Sequence, residues 1–299
     1  MDEAYRKKII TLLGEGGKKW LDSLPLLLKK YEKLWDITCG DPFPLFYNFA
    51  APAKTKAGTD VVLKINLPTK EPLYESKALR IFNGKGSIQL LKEDIKDSVM
   101  LLERAVPGER LSDKISEDQV TIFADVVKKL HVQTAPDLSG FPTLNFWAKD
   151  FASYRDKFSL SSGPIPQKLF EKAEAIFTQY PKDNKQKVLL HGDLHAMNIL
   201  SSQRGWLAID PKGIVGEKEF ETGVFLRNPY GEFPHETNYK KFIVNRIVLC
   251  AELTGFDKKR ITHWAFATAV NAMIWFLEDT GTLRKEYLAD AQLLDSVEF

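Results

Sequence analysis

Within VLLHGDLHAMNIL, residues 188 to 200, two histidines, an aspartate and an asparagine sit between two apolar runs. Three chemistries could use such a set. His191 and His195 have the i, i+4 spacing of a zinc pair on a helix, but Gly192 stands where a zinc peptidase needs its glutamate base, and it weakens a helix there. Nucleophilic catalysis would need a cysteine near a histidine or a G-x-S-x-G turn, and the sequence has neither. The third option fits. His191, Asp193 and Asn198 fill H-x-D-x-x-x-x-N, the spacing of a loop that works on phosphoryl groups. Asp210 follows at the end of the apolar run WLAID, just before Pro211. Asn198 and Asp210 offer the amide and carboxylate oxygens that Mg2+ prefers, which leaves Asp193 to accept the proton of an attacking hydroxyl. His191 is expected to fix the loop by hydrogen bonding rather than to move protons.

Such a transfer also needs an ammonium against the α and β phosphates of ATP. Lys64, within the apolar strand pattern VVLKI, supplies it, and Glu75 in the next helical pattern is its expected ion-pair partner, with Glu71 as the alternative. The segment VMLLERAVPG would meet adenine through backbone groups of Glu103 and Ala105. A phosphoryl group in transit needs alignment and charge neutralisation more than covalent help, so Lys, Glu, Asp, Asn and Asp in that order form a chemically complete set.

These residues must be positioned by two kinds of scaffold. Residues 1 to 34 repeat apolar side chains at helical spacing around a break at Gly14–Gly17. From Pro42 to Leu67 the texture turns to alternating Phe, Tyr and Val, with a turn-like KTKAGTD at 54 to 60. A helix over 70 to 82 has Pro72 in its first turn, and strands SIQLLKE and SVMLLERAV flank the turn DIKD. PGERLSDK reads as an aperiodic crossing between an N-terminal nucleotide-binding lobe with a helical leader (1–105) and a C-terminal lobe with the catalytic loop and substrate site (106–299). Past Ser116 helices are expected over 116–133, 145–158, 166–179, 238–254, 258–279 and 284–296, with short strands at 187–191 and 205–210. The fold class is α+β, an antiparallel-sheet lobe followed by a mainly helical one.

Composition narrows the function further. The 299 residues are 44% hydrophobic, and 42 basic against 40 acidic residues leave a net charge of +2, with no broad cationic field for nucleic acid. Cys39 and Cys250 lack paired spacing and point to a reducing compartment. MDEAYRKKII has no apolar core of a signal peptide, and FIVNRIVLCAELTGF, which carries Arg246 and Glu252, is too short to span a bilayer. A cytoplasmic monomer acting on a small molecule, without nucleic acid or membrane partners, is expected.

At these motifs the chain resembles the aminoglycoside phosphotransferases, whose fold is bilobal and protein-kinase-like. HGDLHAMNIL is similar to their catalytic loop, and IDPKGIVGEKEFE followed by FLRNP is similar to the branch with streptomycin 6-kinases and hydroxyurea phosphotransferases. The resemblance runs from about Phe46 to the C-terminal helices. It implies Asp193 as catalytic base, Asn198 and Asp210 as magnesium ligands, Lys64 as the nucleotide-phosphate lysine and Glu75 as its partner. It also places Glu221 where related kinases carry an aspartate that braces the loop. The hairpin NFAAPAKTKAGTDVV lacks the G-x-G-x-x-G of protein kinases. A polycationic antibiotic would need carboxylates in the cleft, for which Asp150, Glu217, Glu219, Glu232, Glu278 and Asp279 are candidates. Glu217 leads because it follows DPKG directly. Trp147, Trp206, Trp264 and Trp275 could stack a guanidinium. Two alternatives stay open: a kinase of the same fold for a metabolic alcohol or sugar, and a catalytically silent nucleotide-binding module.

Overall fold

The computed structural model describes residues 3–114, 116–131, 137–159, 163–183, 185–227 and 239–299, with backbone alone at 116 and 117. The leader forms α1 (Glu3–Leu13) and α2 (Glu15–Trp35), broken at Gly14. Behind it lies a five-stranded antiparallel sheet in the order β1 (Ile37–Cys39), β2 (Phe49–Thr55), β3 (Asp60–Ile65), β5 (Val99–Glu103), β4 (Leu90–Asp94). The period of two decides what each face meets. Val61, Leu63, Ile65, Val99 and Leu101 pack on Trp20, Leu21, Leu24 and Tyr31 of the leader. Burying each large side chain of that layer contributes roughly 2 kcal/mol. Met100 and Leu102 point to the other face, against Leu79 of α3 (Glu71–Phe82) and Leu207. Lys64 shares the alternation of Val62 and so lands on the α3 side, buried at 5% exposure.

After β5 the chain is mainly helical: α4 (Ser116–His131), α5 (Ala148–Lys157), α6 (Gln167–Gln179), α7 (Glu219–Arg227), α8 (Tyr239–Thr254), α9 (Lys258–Thr280) and α10 (Lys285–Asp295). α9 is the central post, with Trp264, Phe266, Val270, Met273 and Ile274 buried. α7 comes so close to it that a Cβ on Gly223 would lie 2.6 Å from the Trp264 side chain, so only glycine fits there. Two small sheets carry the loops between the helices. β7 (Val188–Leu190) pairs with β10 (Ile214–Gly216), and β6 (Pro107–Arg110), β8 (Ile199–Ser202) and β9 (Gly205–Ala208) form the other. No described helix is long and apolar enough to cross a membrane.

The structure differs from the sequence reading in its short elements. PGERLSDK is no plain crossing: it holds β6 and a 3-10 turn at Leu111–Asp113, because β8 supplies the edge that β6 pairs with. A three-residue strand, β1, also precedes the expected hairpin and pairs with β2.

Candidate active site

The loop after β7 is laced to its surroundings through its backbone. His191 is fully buried, and its Nε2 lies 2.7 Å from the Ile209 carbonyl while its Nδ1 accepts from the Asp193 N–H at 3.2 Å. Burial pushes its pKa down to about 4, so the ring is neutral and must donate through Nε2. Gly192 has φ 87°, and a Cβ there would meet the Ile214 side chain at 2.8 Å. Its N–H donates to both Glu221 oxygens, at 3.2 and 3.3 Å. The Lys212 N–H closes the loop from the other side, 2.7 Å from the His191 carbonyl.

Asn198 donates its amide to the Asp193 carbonyl at 3.0 Å, and its own carbonyl accepts from the Ile209 N–H at 2.9 Å. The β8–β9 hairpin register therefore sets Asn198 opposite the residue that precedes Asp210. Asp210 adopts φ 59°, an uncommon conformation for a side-chain-bearing residue. Its carboxylate reaches Lys64 Nζ at 3.0 Å, and Lys64 also holds Glu75 at 2.6 Å. Desolvation works to raise the Asp210 carboxyl, but Lys64, with Lys212, outweighs it and holds the group below the usual carboxylate range. Desolvation likewise opposes ionisation of Asp193, and His195, Arg227 and Lys212 overcome it. For Glu75 burial wins, and its carboxyl is raised despite Lys64.

Five of the expected residues thus fall into two directly bonded groups, Lys64–Glu75–Asp210 and Asp193–Asn198, joined through the hairpin. Glu71, one helical turn before Glu75, pairs instead with Lys212 at 3.1 Å. Glu103 lies at the end of β5. Its N–H donates to the Gln89 carbonyl at 2.9 Å, and its carboxylate holds Arg204 at 2.7 Å. Ala105 is half-buried in the link to β6. The hairpin turn at 56–59 lies at the end of β3 away from Lys64, since Lys64 pairs with Ala50. Residues 40–48, between β1 and β2, are the segment that enters the sheet at the Lys64 end.

Glu217 must be corrected. It is 4% exposed, and both its oxygens are spent, on Arg260 and on the Trp264 indole N–H. It follows the end of β10 that pairs with Val188, away from the catalytic loop. Proximity to DPKG in sequence did not carry over into space. Of the other acidic candidates, Glu219 holds Lys185 and Glu278 holds Lys157, while Asp279 accepts from Tyr47 at 2.6 Å and lies 4.0 Å from Lys8. Asp150 differs: among the described residues it has neutral donors only, Trp275 Nε1 at 2.6 Å and Asn271 at 3.0 Å. Glu232, and Asn228 and Pro229 of FLRNP, lie outside the described residues. Of the tryptophans, Trp264 and Trp147 are core, whereas Trp275 is half-buried.

Sequence reasoning gave Arg227 no role, although it lies within FLRNP. Its guanidinium sits 3.0 Å from Asp193 Oδ1 and 5.4 Å from the Trp275 ring. An arginine directly after the apolar run GVFL was the available signal. Glu221, noted as a glutamate in place of a bracing aspartate, does reach the loop. Burial raises its pKa to about 8, against the Gly192 and His191 backbone groups that favour the ionised form. A carboxyl whose folded value lies above its unfolded one, roughly 4.3, has its full stabilising share below the unfolded value and loses it as pH rises through the folded one. Glu221→Gln cannot ionise, so wild type is expected to lose at least about 3 °C of Tm relative to the variant between pH 5 and pH 8. Thermal melts of both proteins across that range check this, and a constant difference would contradict it.

A family model described as aminoglycoside/hydroxyurea antibiotic resistance kinase matches residues 46–280. The chain is 28% identical over 279 residues to the streptomycin 6-kinase of Streptomyces glaucescens, covering 89% of this chain and 87% of the relative. It is 27% identical over 274 residues to the hydroxyurea phosphotransferase of Kitasatospora aureofaciens, covering 89% and 77%. Among solved structures, an amicoumacin kinase in complex with AMP-PNP, Ca2+ and Ami aligns with TM-score 0.68 at 15% identity, covering 95% and 97% of the two chains. The choline kinase of Streptococcus pneumoniae aligns with TM-score 0.64 at 16% identity, covering 92% and 100%. The bilobal kinase-like fold is common to these structures and this chain.

Proposed function

The chain belongs to the aminoglycoside/hydroxyurea antibiotic resistance kinase family and is a small-molecule phosphotransferase, and from that premise we propose that it uses ATP and Mg2+ to phosphorylate a hydroxyl of a streptomycin-type acceptor. The observation that carries this reading is the Lys64–Glu75–Asp210 junction set beside the Asp193–Asn198 loop. Bound Mg2+ and ATP supply the phosphoryl group and the divalent charge that offsets its oxygens. Asp210 and Asn198 would hold the ion. Their donor set fits, because Asp210 is ionised and half-exposed, and Asn198 spends its amide N–H on Asp193 and keeps its oxygen.

Lys64, held from the helix side by Glu75, would direct its ammonium to the nucleotide phosphates. Glu103 has committed its N–H, so its carbonyl, with the Ala105 backbone, is what it offers to adenine. Asp193 accepts the proton of the acceptor hydroxyl. Asp150 beside the Trp275 indole supports a cationic acceptor, since among the described residues this carboxylate is held by neutral donors. The proposed setting is a reducing one, the cytoplasm, which suits the free thiols of Cys39 and Cys250, and the proposed state is a monomer. ADP release with streptomycin, hydroxyurea and choline as acceptors tests the reading. Mg2+-dependent turnover of streptomycin is expected. Turnover of choline alone would replace the acceptor class, and nucleotide binding without turnover of any of the three would leave a silent binding module.

A further inference from the structure

We propose that Arg227 is a positioning residue for the transfer: it grips one oxygen of Asp193 so that the other faces the acceptor hydroxyl. This rests on the reading of Asp193 as the proton acceptor. The loop contacts made by His191, Glu221 and Asn198 all go to backbone atoms: the Asp193 N–H, the Gly192 N–H and the Asp193 carbonyl. They fix the chain and leave the carboxylate free to turn about its own side-chain bonds. Arg227 hydrogen-bonds that carboxylate through Oδ1 at 3.0 Å, while His195 Nε2 stands farther off, 3.7 Å from Oδ2. Asp193 keeps 23% of its side-chain surface open.

Arg227 is itself well fixed. Its side chain is 6% exposed, its guanidinium lies 5.4 Å from the Trp275 ring, and its Nε has no partner among the described residues. Burying a guanidinium costs stability unless its bonds are good, and among the described residues Arg227 bonds the Asp193 carboxylate alone, which stability by itself explains poorly. α7, which carries it, also carries Glu221, and Gly223 seats the helix tightly on α9. One rigid helix therefore holds both the loop backbone and the reacting carboxylate. Trp275, bonded to Asp150, extends the contact to the wall assigned to the acceptor.

A residue acting only through Asp193 should matter only while Asp193 can act. The test is a double-mutant cycle on the full chain with Arg227→Met, Asp193→Asn and both, read as ADP release with streptomycin. Loss of carboxylate alignment is expected to lower kcat by about 10- to 100-fold, with KM for ATP within about twofold of wild type. In the Asp193→Asn background the same change should cost less than about threefold. Arg227→Lys, which keeps the charge, should regain about tenfold over Arg227→Met, and it runs the same cycle should the methionine variant not fold. Equal losses in both backgrounds, or a wild-type kcat in Arg227→Met, would overturn the proposal. A wild-type enzyme that does not turn over streptomycin would instead sink the acceptor reading, and the cycle is then read with whichever acceptor is turned over.

Discussion

Asp193→Asn is expected to lower kcat by about 10²- to 10⁴-fold while KM for ATP moves by less than about threefold. Asparagine matches aspartate in shape and keeps the backbone bonds that the loop depends on, from Asp193 N–H to His191 and from Asn198 to the Asp193 carbonyl. It cannot take a proton. Lys64, Glu75 and Asp210 do not touch the Asp193 side chain, so nucleotide binding should survive. Arg227 loses its anionic partner and is left buried, a change that lowers Tm without emptying the nucleotide site. Parallel measurement of kcat, KM for ATP and Tm separates lost chemistry from lost folding. A kcat within about tenfold of wild type would remove Asp193 from the proton's path.

Much of how the candidate residues are placed could be read from the sequence because their spacing is local. Asn198 and Asp210 are brought together by one hairpin, and the apolar runs on either side of its turn were visible. Lys64 was legible because β alternation fixes its face once Val61 and Leu63 are assigned to the core. Glu71 and Glu75 were harder to tell apart, since at i, i+4 they share a helix face, and both prove to be ion-paired, with Lys212 and Lys64 respectively. What failed depends on partners distant in sequence. Glu217 was placed in the cleft by adjacency, whereas Arg260 and Trp264, on α9, claim it for the core. Arg227 becomes informative only when α7 is seen to reach the loop. β1, β6 and β10 are three or four residues long, too short for periodicity, and exist because β2, β8 and β7 offer edges.

Lys64→Met tests the other half of the site, and the geometry requires it to be more damaging than loss of Glu75. One ammonium serves two carboxylates, Glu75 at 2.6 Å and Asp210 at 3.0 Å. Desolvation works against the charge on Lys64, yet Asp210 and Glu75 outweigh it and raise its pKa, so the lysine is a fixed cation at any working pH. Without it Glu75 can take up a proton, which burial already favours, and the fold keeps a neutral acid beside a methionine of similar length. Asp210 has no such remedy, because it loses the bond that orients its carboxylate. We expect kcat to fall by about 10²- to 10³-fold and KM for ATP to rise, the scale of removing one preorganised charge from a transfer site. Glu75→Gln leaves Lys64 bonded to Asp210 and should cost roughly a tenth as much. Steady-state kinetics of the two variants side by side give the ordering. Equal losses would mean that Glu75, rather than Asp210, sets where the ammonium points, and the junction would then have to be rebuilt around the helix instead of the metal-side aspartate.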